Sequence, residues 1–159
     1  MRLLIEMLER NALMPREDMA RQLGMSVGEV EQEIARLEAE GVILGYQAIL
    51  NREKWETDLV TALIEVKIQP ERDGGFDRVA GRIARFEEVQ TCYLMSGGYD
   101  LLITVEGRSL REVAAFVSEK LSTIESVRST ATRFRLKTYK ENGTFHQFDE
   151  APERLAVTP

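Results

Sequence analysis

Five consecutive residues, Ser96-Gly97-Gly98-Tyr99-Asp100, combine glycine-rich backbone with a carboxylate. Glycines leave their backbone N–H groups uncovered, so the turn can donate to the carboxylate of a zwitterionic ligand while Asp100 holds its ammonium group. Thr130 and Thr132 offer hydroxyl groups that could complete such a pocket. From these residues alone, however, an ordinary hairpin turn in which Asp100 bonds to the local backbone is the favoured interpretation.

A second set of residues with binding chemistry lies on a predicted helix that begins at Ser26. Apolar side chains at Val30, Ile34 and Leu37 define its inner side. Steps of about 100° per residue place four residues on the outer side: Gly28, Gln32, Ala35 and Arg36. If this helix enters a DNA major groove, Gln32 could pair with adenine and Arg36 with guanine.

The charges around this helix oppose DNA binding. Three glutamates flank its outer side, Glu29, Glu31 and Glu33, whereas DNA phosphates attract cations. The helix N-terminus near Ser26 could still contact phosphates, as could three basic side chains, Arg16, Arg21 and Arg52. A solvated helix face is the alternative interpretation of the glutamates, and both remain open.

Composition restricts the class of protein. The chain has 159 residues with 43% apolar, 21 basic and 27 acidic side chains, giving a net charge of −6. This balance excludes a globally basic nucleic-acid coat. With one histidine, His146, and one cysteine, Cys92, we expect no metal, no cofactor and no internal disulfide. No apolar run approaches the roughly 20 residues of a membrane span, so we expect a cytoplasmic protein without membrane contact.

Helical periodicity covers the first 51 residues. Short apolar repeats predict three helices, and Gly24 and Ser26 provide the end of one and the start of the next. This is the layout of a helix-turn-helix. The β-prone residues 42–50, with Gly45-Tyr46 as a turn, predict a small wing. We therefore assign residues 1–51 to a winged helix-turn-helix domain.

From residue 52 the apolar period changes to alternating strands and helices. Strands are predicted at 59–69, 89–95, 99–106 and 127–140, with helices after Gly75 and Ser109. The order β-α-β-β-α-β is the ferredoxin-like arrangement, so residues 52–143 form an α+β domain with helices on one sheet face. Asn142-Gly143 predicts a turn into a strand at 144–148 that extends or covers a sheet edge, followed by an arm to residue 159.

The opposite sheet face lacks a helical cover. It is partly apolar, with Leu63 and Leu102 among its residues, and we expect it to pack on a second copy in a twofold dimer. Arg133, Arg135 and Lys137 alternate on the last strand, where pairing with carboxylates is favoured over an anion or DNA contact. Cys92 is expected in the core and His146 on the surface.

The order of these motifs resembles the Lrp/AsnC (leucine-responsive, feast/famine) transcription regulators over roughly residues 1–141. The similar segments are Leu23-Gly24-Met25-Ser26, Arg36-Leu37-Glu38, Glu40-Gly41-Val42-Ile43, Gly45-Tyr46, Gly97-Gly98-Tyr99-Asp100 and Thr130-x-Thr132. The resemblance implies a homodimer or larger assembly, such as an octamer, that binds DNA. It also implies an amino acid or similar small metabolite bound between subunits, with residues 96–100, Thr130 and Thr132 as the effector site.

One departure from the family pattern and one further resemblance bear on other functions. The family is basic where this chain has Gln32, Glu33 and Ala35, which favours a metabolite-sensing module with weak or lost DNA binding as the alternative. Sirohaem decarboxylases resemble the same two-domain plan but depend on a histidine in the effector pocket. Here the one histidine, His146, lies outside it, so we expect no enzyme.

Overall fold

A computed structural model describes residues 2–55, 58–70 and 75–146. The chain divides into two compact units, Met1–Ala48 and Ile49–Pro159. None of the helices in the described ranges is long and apolar enough to cross a membrane.

The first unit consists of three helices: α1 (Arg2–Arg10), α2 (Arg16–Leu23) and α3 (Val27–Ala39). Each buries the apolar side predicted from its period, and the shared core contains Leu4, Met7, Leu8, Met19, Ala20, Val30, Ile34 and Leu37. The predicted wing is wrong, because residues 43–51 form no strand. The apolar side chains of this segment instead remain largely exposed, with Leu44 93% exposed, and no strand among the described residues pairs with it.

The second unit contains the predicted β-α-β-β-α-β order. After a short helix α4 (Arg52–Trp55), the elements are β1 (Val60–Ile68), α5 (Gly75–Ile83), β2 (Val89–Leu94), β3 (Leu101–Gly107), α6 (Leu110–Ala115) and β4 (Val127–Phe134), and a π-helical turn, Phe116–Leu121, continues α6. The four strands form one antiparallel sheet in the order β2-β3-β1-β4. β1 is therefore a central strand, and β2 and β4 are the edges.

One face of this sheet carries the core. Alternate residues of β1 and β3 are fully buried against α5 and α6, including Ile64, Val66, Ile103 and Val105. Each such aliphatic side chain contributes about 1.5–3 kcal/mol when removed from water. This burial fixes the register of the strands, because a slip by one residue would turn the apolar set to the other face.

The last strand is shorter than predicted. β4 ends at Phe134, and residues 135–138 form no ladder. Lys140–Glu141 (β5) and Thr144–Phe145 (β6) pair in a separate two-stranded hairpin, so the predicted extension of the main sheet is wrong. The Asn142-Gly143 turn is confirmed: both residues have positive φ, 46° and 80°, as a two-residue hairpin loop requires. Residues 147–159, which include the end of the predicted strand and the arm, lie outside the described residues.

Candidate functional site

The glycine-rich turn lies between β2 and β3 at one end of the sheet. Ser96, Gly97 and Gly98 are exposed, and Tyr99 and Asp100 are half-buried. Gly97 has a φ of 122°, which side-chain-bearing residues rarely adopt, so glycine is required for this turn. Within the described residues the backbone N–H groups of Gly97 and Gly98 have no acceptor, which leaves them available to a ligand.

Asp100 connects this turn to the end of β1. Its Oδ2 atom accepts a hydrogen bond from the Ile68 N–H at 2.8 Å, and its own N–H donates to the Val66 carbonyl at 3.0 Å. The hairpin interpretation was thus right that Asp100 bonds to backbone, but the backbone is not local, since Ile68 lies 32 positions away. The other oxygen, Oδ1, makes no hydrogen bond within the described residues.

Thr130 and Thr132 lie on the other side of β1 from the turn. Thr130 is opposite Val66 and Thr132 opposite Ile64, while Val66 also faces Leu101 on β3. Thr130 and Leu101 are therefore two strand spacings apart, about 10 Å. The register brings the turn and Thr130 to the same end of the sheet, but it does not bring the five turn residues and both threonines into one closed pocket within a single chain.

The uncovered sheet face has the expected location and a polar centre. Leu63 and Leu102 lie on it, half-buried, because they alternate with the helix-side core. Arg133 forms an ion pair with Glu65, and this hydrogen-bonded carboxylate raises the pKa of the Arg133 guanidinium, with a smaller contribution from Tyr99. The turn residue Tyr99 thus lies near Arg133 of β4.

Carboxylate pairing is confirmed for Arg133 on β4 and for Arg135, which directly follows β4. Arg133 pairs with Glu65, and Arg135 donates to Glu141 at 2.9 Å and to the Thr61 hydroxyl at 3.0 Å. These contacts neutralise the basic row on the open face. They leave the sheet face neither strongly basic nor purely apolar.

The side chains of Ser26 and Glu29 cap the N-terminus of α3. Glu29 accepts hydrogen bonds from both the N–H and the hydroxyl of Ser26 at 2.8 Å, and the Glu29 N–H donates to the Ser26 hydroxyl at 3.2 Å. This is the predicted capping box. The backbone and hydroxyl hydrogen bonds lower the pKa of Glu29, so this carboxylate is charged at the helix N-terminus near neutral pH.

Arg36 is held by two carboxylates of its own helix. Its guanidinium donates two hydrogen bonds to Glu33, at 2.7 and 3.0 Å, and two to Glu40, at 2.6 and 2.8 Å. Both pairs raise the pKa of Arg36, and the Arg36 hydrogen bonds lower that of Glu33. Sequence reasoning missed this pairing, although the spacings i,i+3 and i,i+4 are those of neighbouring helix side chains.

The remaining candidate DNA contacts differ in their exposure and in the side chains that they already contact. Gly28 and Gln32 are exposed on the outer side of α3, as predicted. Arg16 is half-buried with a guanidinium nitrogen 3.4 Å from the Met19 sulfur, and Arg21 pairs with Asp18 at 3.0 Å. Arg52, in the second unit, lies 3.7 Å from Glu106.

Cys92 and His146, the two residues whose side chains could take part in catalysis, are partly buried and buried, respectively. Cys92 packs against the core, as predicted, and burial raises the pKa of its thiol, which disfavours the nucleophilic thiolate. His146 is buried rather than on the surface, because the β5–β6 hairpin folds it inward, and its Nδ1 atom has no hydrogen-bond partner within the described residues. The described residues contain no cluster of three or more side chains that could bind a metal ion.

Comparison with known families identifies the second unit. Residues 61–145 match the model of the "Lrp/AsnC ligand binding domain". The chain is 45% identical over 157 residues to an uncharacterised HTH-type transcriptional regulator, YugG, of Bacillus subtilis, covering 98% of this chain and 95% of that protein. It is 28% identical to the leucine-responsive regulatory protein of Haemophilus influenzae, covering 84% and 80% of the two chains.

Solved structures share both parts of the fold. A feast or famine regulatory protein of Mycobacterium tuberculosis, in complex with L-methionine, is 27% identical with a TM-score of 0.70, covering 88% of this chain and 92% of that one. The leucine response regulatory protein of the same organism is 26% identical with a TM-score of 0.73, covering 89% and 93%.

Proposed function

The chain belongs to the Lrp/AsnC family of helix-turn-helix transcription regulators, and on that premise we propose that it binds DNA under the control of a free amino acid. The amino acid would bind at residues 96–100. Its occupancy would change assembly or DNA affinity, and by linkage DNA would change the affinity for the amino acid by the same factor.

The observation that carries this proposal is the geometry of the turn. The N–H groups of Gly97 and Gly98 lack acceptors within the described residues, and Oδ1 of Asp100 is not used by the fold. Two uncovered donors suit a carboxylate, and a carboxylate oxygen suits an ammonium group. An α-amino acid carries both groups, and a relative with 27% identity was crystallised with L-methionine.

We further propose that a second copy completes the pocket. Thr130 lies about 10 Å from Leu101 across β1, and Thr132 lies two residues further along β4, so one chain does not gather the turn and both threonines into one closed pocket. Packing of two uncovered sheet faces in a homodimer would supply elements of the partner beside each turn. Further association, up to an octamer of four dimers, would use other surfaces, because the dimer already covers this sheet face.

DNA would be contacted by the first unit. The proposed contacts are Arg16, Arg21, Ser26, Gly28 and Gln32, with Arg36 as a further contact once Glu33 and Glu40 release it. Exposed Gly28 and Gln32 can approach base edges, whereas Arg16 and Arg21 are placed to contact phosphates only after giving up their present neighbours.

Isothermal titration calorimetry with L-methionine, and then with the other common amino acids, tests the effector site. We expect binding to wild type, loss of binding in Asp100→Asn, and unchanged binding in the control Asp77→Asn, an exposed aspartate on α5. Equal binding to wild type and Asp100→Asn would remove Asp100 from the site. No heat with any amino acid would remove the amino-acid effector altogether.

The second candidate is a metabolite-sensing module with weak DNA binding. It is favoured by one observation, the engagement of Arg36 by Glu33 and Glu40 beside the charged Glu29. Fluorescence anisotropy with DNA from upstream of the chain's own gene separates the two. Saturable binding at physiological salt favours the regulator, and its absence favours the module. A sirohaem decarboxylase-like activity is the least supported, because His146 lies on the β5–β6 hairpin and not at the turn.

A further inference from the structure

The outer side of α3 offers DNA one side chain with both a donor and an acceptor, Gln32. Its neighbours Gly28 and Ala35 are exposed and short, and nothing lies within 4 Å of a Cβ placed on Gly28. Gln32 is itself exposed and makes no hydrogen bond within the described residues. Its amide is therefore free to approach a base edge without obstruction from its own helix.

Arg36, the other candidate for reading a base, has hydrogen-bond donors that neighbouring carboxylates already occupy. Four hydrogen bonds of 2.6–3.0 Å engage its guanidinium with Glu33 and Glu40. A guanidinium has five N–H donors, so few remain for the O6 and N7 atoms of guanine. Reading guanine would require Arg36 to leave two carboxylates for neutral acceptors, so the hydrogen bonds would lose the attraction between opposite charges.

We propose that Gln32 selects an adenine in the DNA site, and that Glu33 and Glu40 withhold Arg36 from the bases. This inference rests on the DNA-binding function proposed above. The side-chain carbonyl of Gln32 accepts from adenine N6 while its NH₂ group donates to N7, which distinguishes adenine from the other bases in the major groove.

The glutamates that flank Gln32 make its proposed base contact more important for sequence preference. Glu29 and Glu33 are charged near neutral pH, as exposed glutamates ordinarily are, their lowered pKa values keep them so at lower pH, and they repel phosphates of any sequence. When attraction to the phosphates contributes little to the affinity, base contacts contribute a larger share of it. Loss of the Gln32 contact should therefore be visible as loss of sequence preference.

Selection from a randomised duplex DNA library, with sequencing of the bound fraction, tests this on the full chain. Wild type should enrich a motif that contains an adenine. Gln32→Ala should lose the preference at that one position by about 5- to 150-fold, the discrimination of a bidentate pair. Gln32→Glu should change the preferred base there to cytosine, because a carboxylate accepts from cytosine N4.

Two controls complete the test. Arg36→Ala should keep the adenine preference at the Gln32 position, and Gln90→Ala, which removes an exposed glutamine from β2 in the other unit, should leave the whole motif unchanged. An unchanged motif in both Gln32 variants, or loss of a guanine preference in Arg36→Ala, would overturn the inference while DNA binding stands. If wild type enriches no motif, the proposed DNA-binding function fails and the inference fails with it.

Discussion

The Asp100 carboxylate accepts a hydrogen bond from the Ile68 backbone N–H at 2.8 Å, joining a turn between β2 and β3 to the end of β1. The register of β1 with β4 shifts between Lys67 and Ile68, and Asp100 accepts from the amide of the residue at this irregularity. One side chain therefore both holds the turn on the sheet and presents its other oxygen where the effector is proposed to bind. Substitution of Asp100 should affect stability as well as ligand binding.

Asp100→Ala is expected to destabilise the second unit by about 1–3 kcal/mol, because it leaves the Ile68 N–H without an acceptor in a half-buried site. Asp100→Asn keeps an oxygen acceptor and should lose less. Urea unfolding of the two variants measures the difference. Equal stability of wild type and Asp100→Ala would mean that water replaces the carboxylate without cost.

Leu63→Lys is expected to convert a dimer to a monomer at micromolar concentration, because it places a charge on the uncovered sheet face, opposite Thr104. Leu110→Lys is the matched control, since Leu110 is 57% exposed at the start of α6, away from that face. Light scattering on the full chain measures the mass. Dimerisation that survives Leu63→Lys would place the interface elsewhere.

The double variant Glu33→Gln, Glu40→Gln is expected to bind DNA more tightly than wild type, because it releases the Arg36 guanidinium and removes two negative charges. If Arg36 then reaches a phosphate, the slope of log affinity against log salt should steepen by about 0.9. Anisotropy titrations at several salt concentrations measure both effects. Adding Arg36→Ala should reverse the steeper slope, and a slope that persists would mean that charge removal alone explains the gain.

Glu88→Gln is expected to flatten the acid side of the stability curve. The Lys120 ammonium lowers the pKa of Glu88, chiefly through their hydrogen bond. A carboxyl whose folded pKa is depressed stabilises the fold above its unfolded pKa of about 4.3, and this contribution is lost as pH falls through the folded value.

Urea unfolding at pH 6, 4 and 3 measures this dependence. The advantage of wild type over Glu88→Gln should be full at pH 6 and should shrink towards pH 3. Lys120→Met, which removes the partner instead, should show a similar loss. An advantage of wild type that is independent of pH would attribute the effect to packing.

Short-range patterns were enough for most of the fold. The capping box at Ser26 and Glu29, the Asn142-Gly143 turn and the alternation in β1 each depend on residues within a few positions of one another, so spacing revealed them. The wing was predicted wrongly because it does not depend on neighbouring residues alone. Residues 42–50 have strand-forming side chains, but a strand needs a partner, and composition does not say whether one is present.

The candidate sites divide in the same way. The sequence by itself determined which side chains are on the outer side of α3 and which chemistry the turn at 96–100 carries, because helix period and glycine content are local properties. Only the tertiary structure decided that Asp100 bonds to Ile68 and that Thr130 lies two strands from the turn, because the order β2-β3-β1-β4 inserts β1 between the two. Strand order depends on how all four strands and both helices pack together, a property of the whole domain that no single stretch of sequence contains.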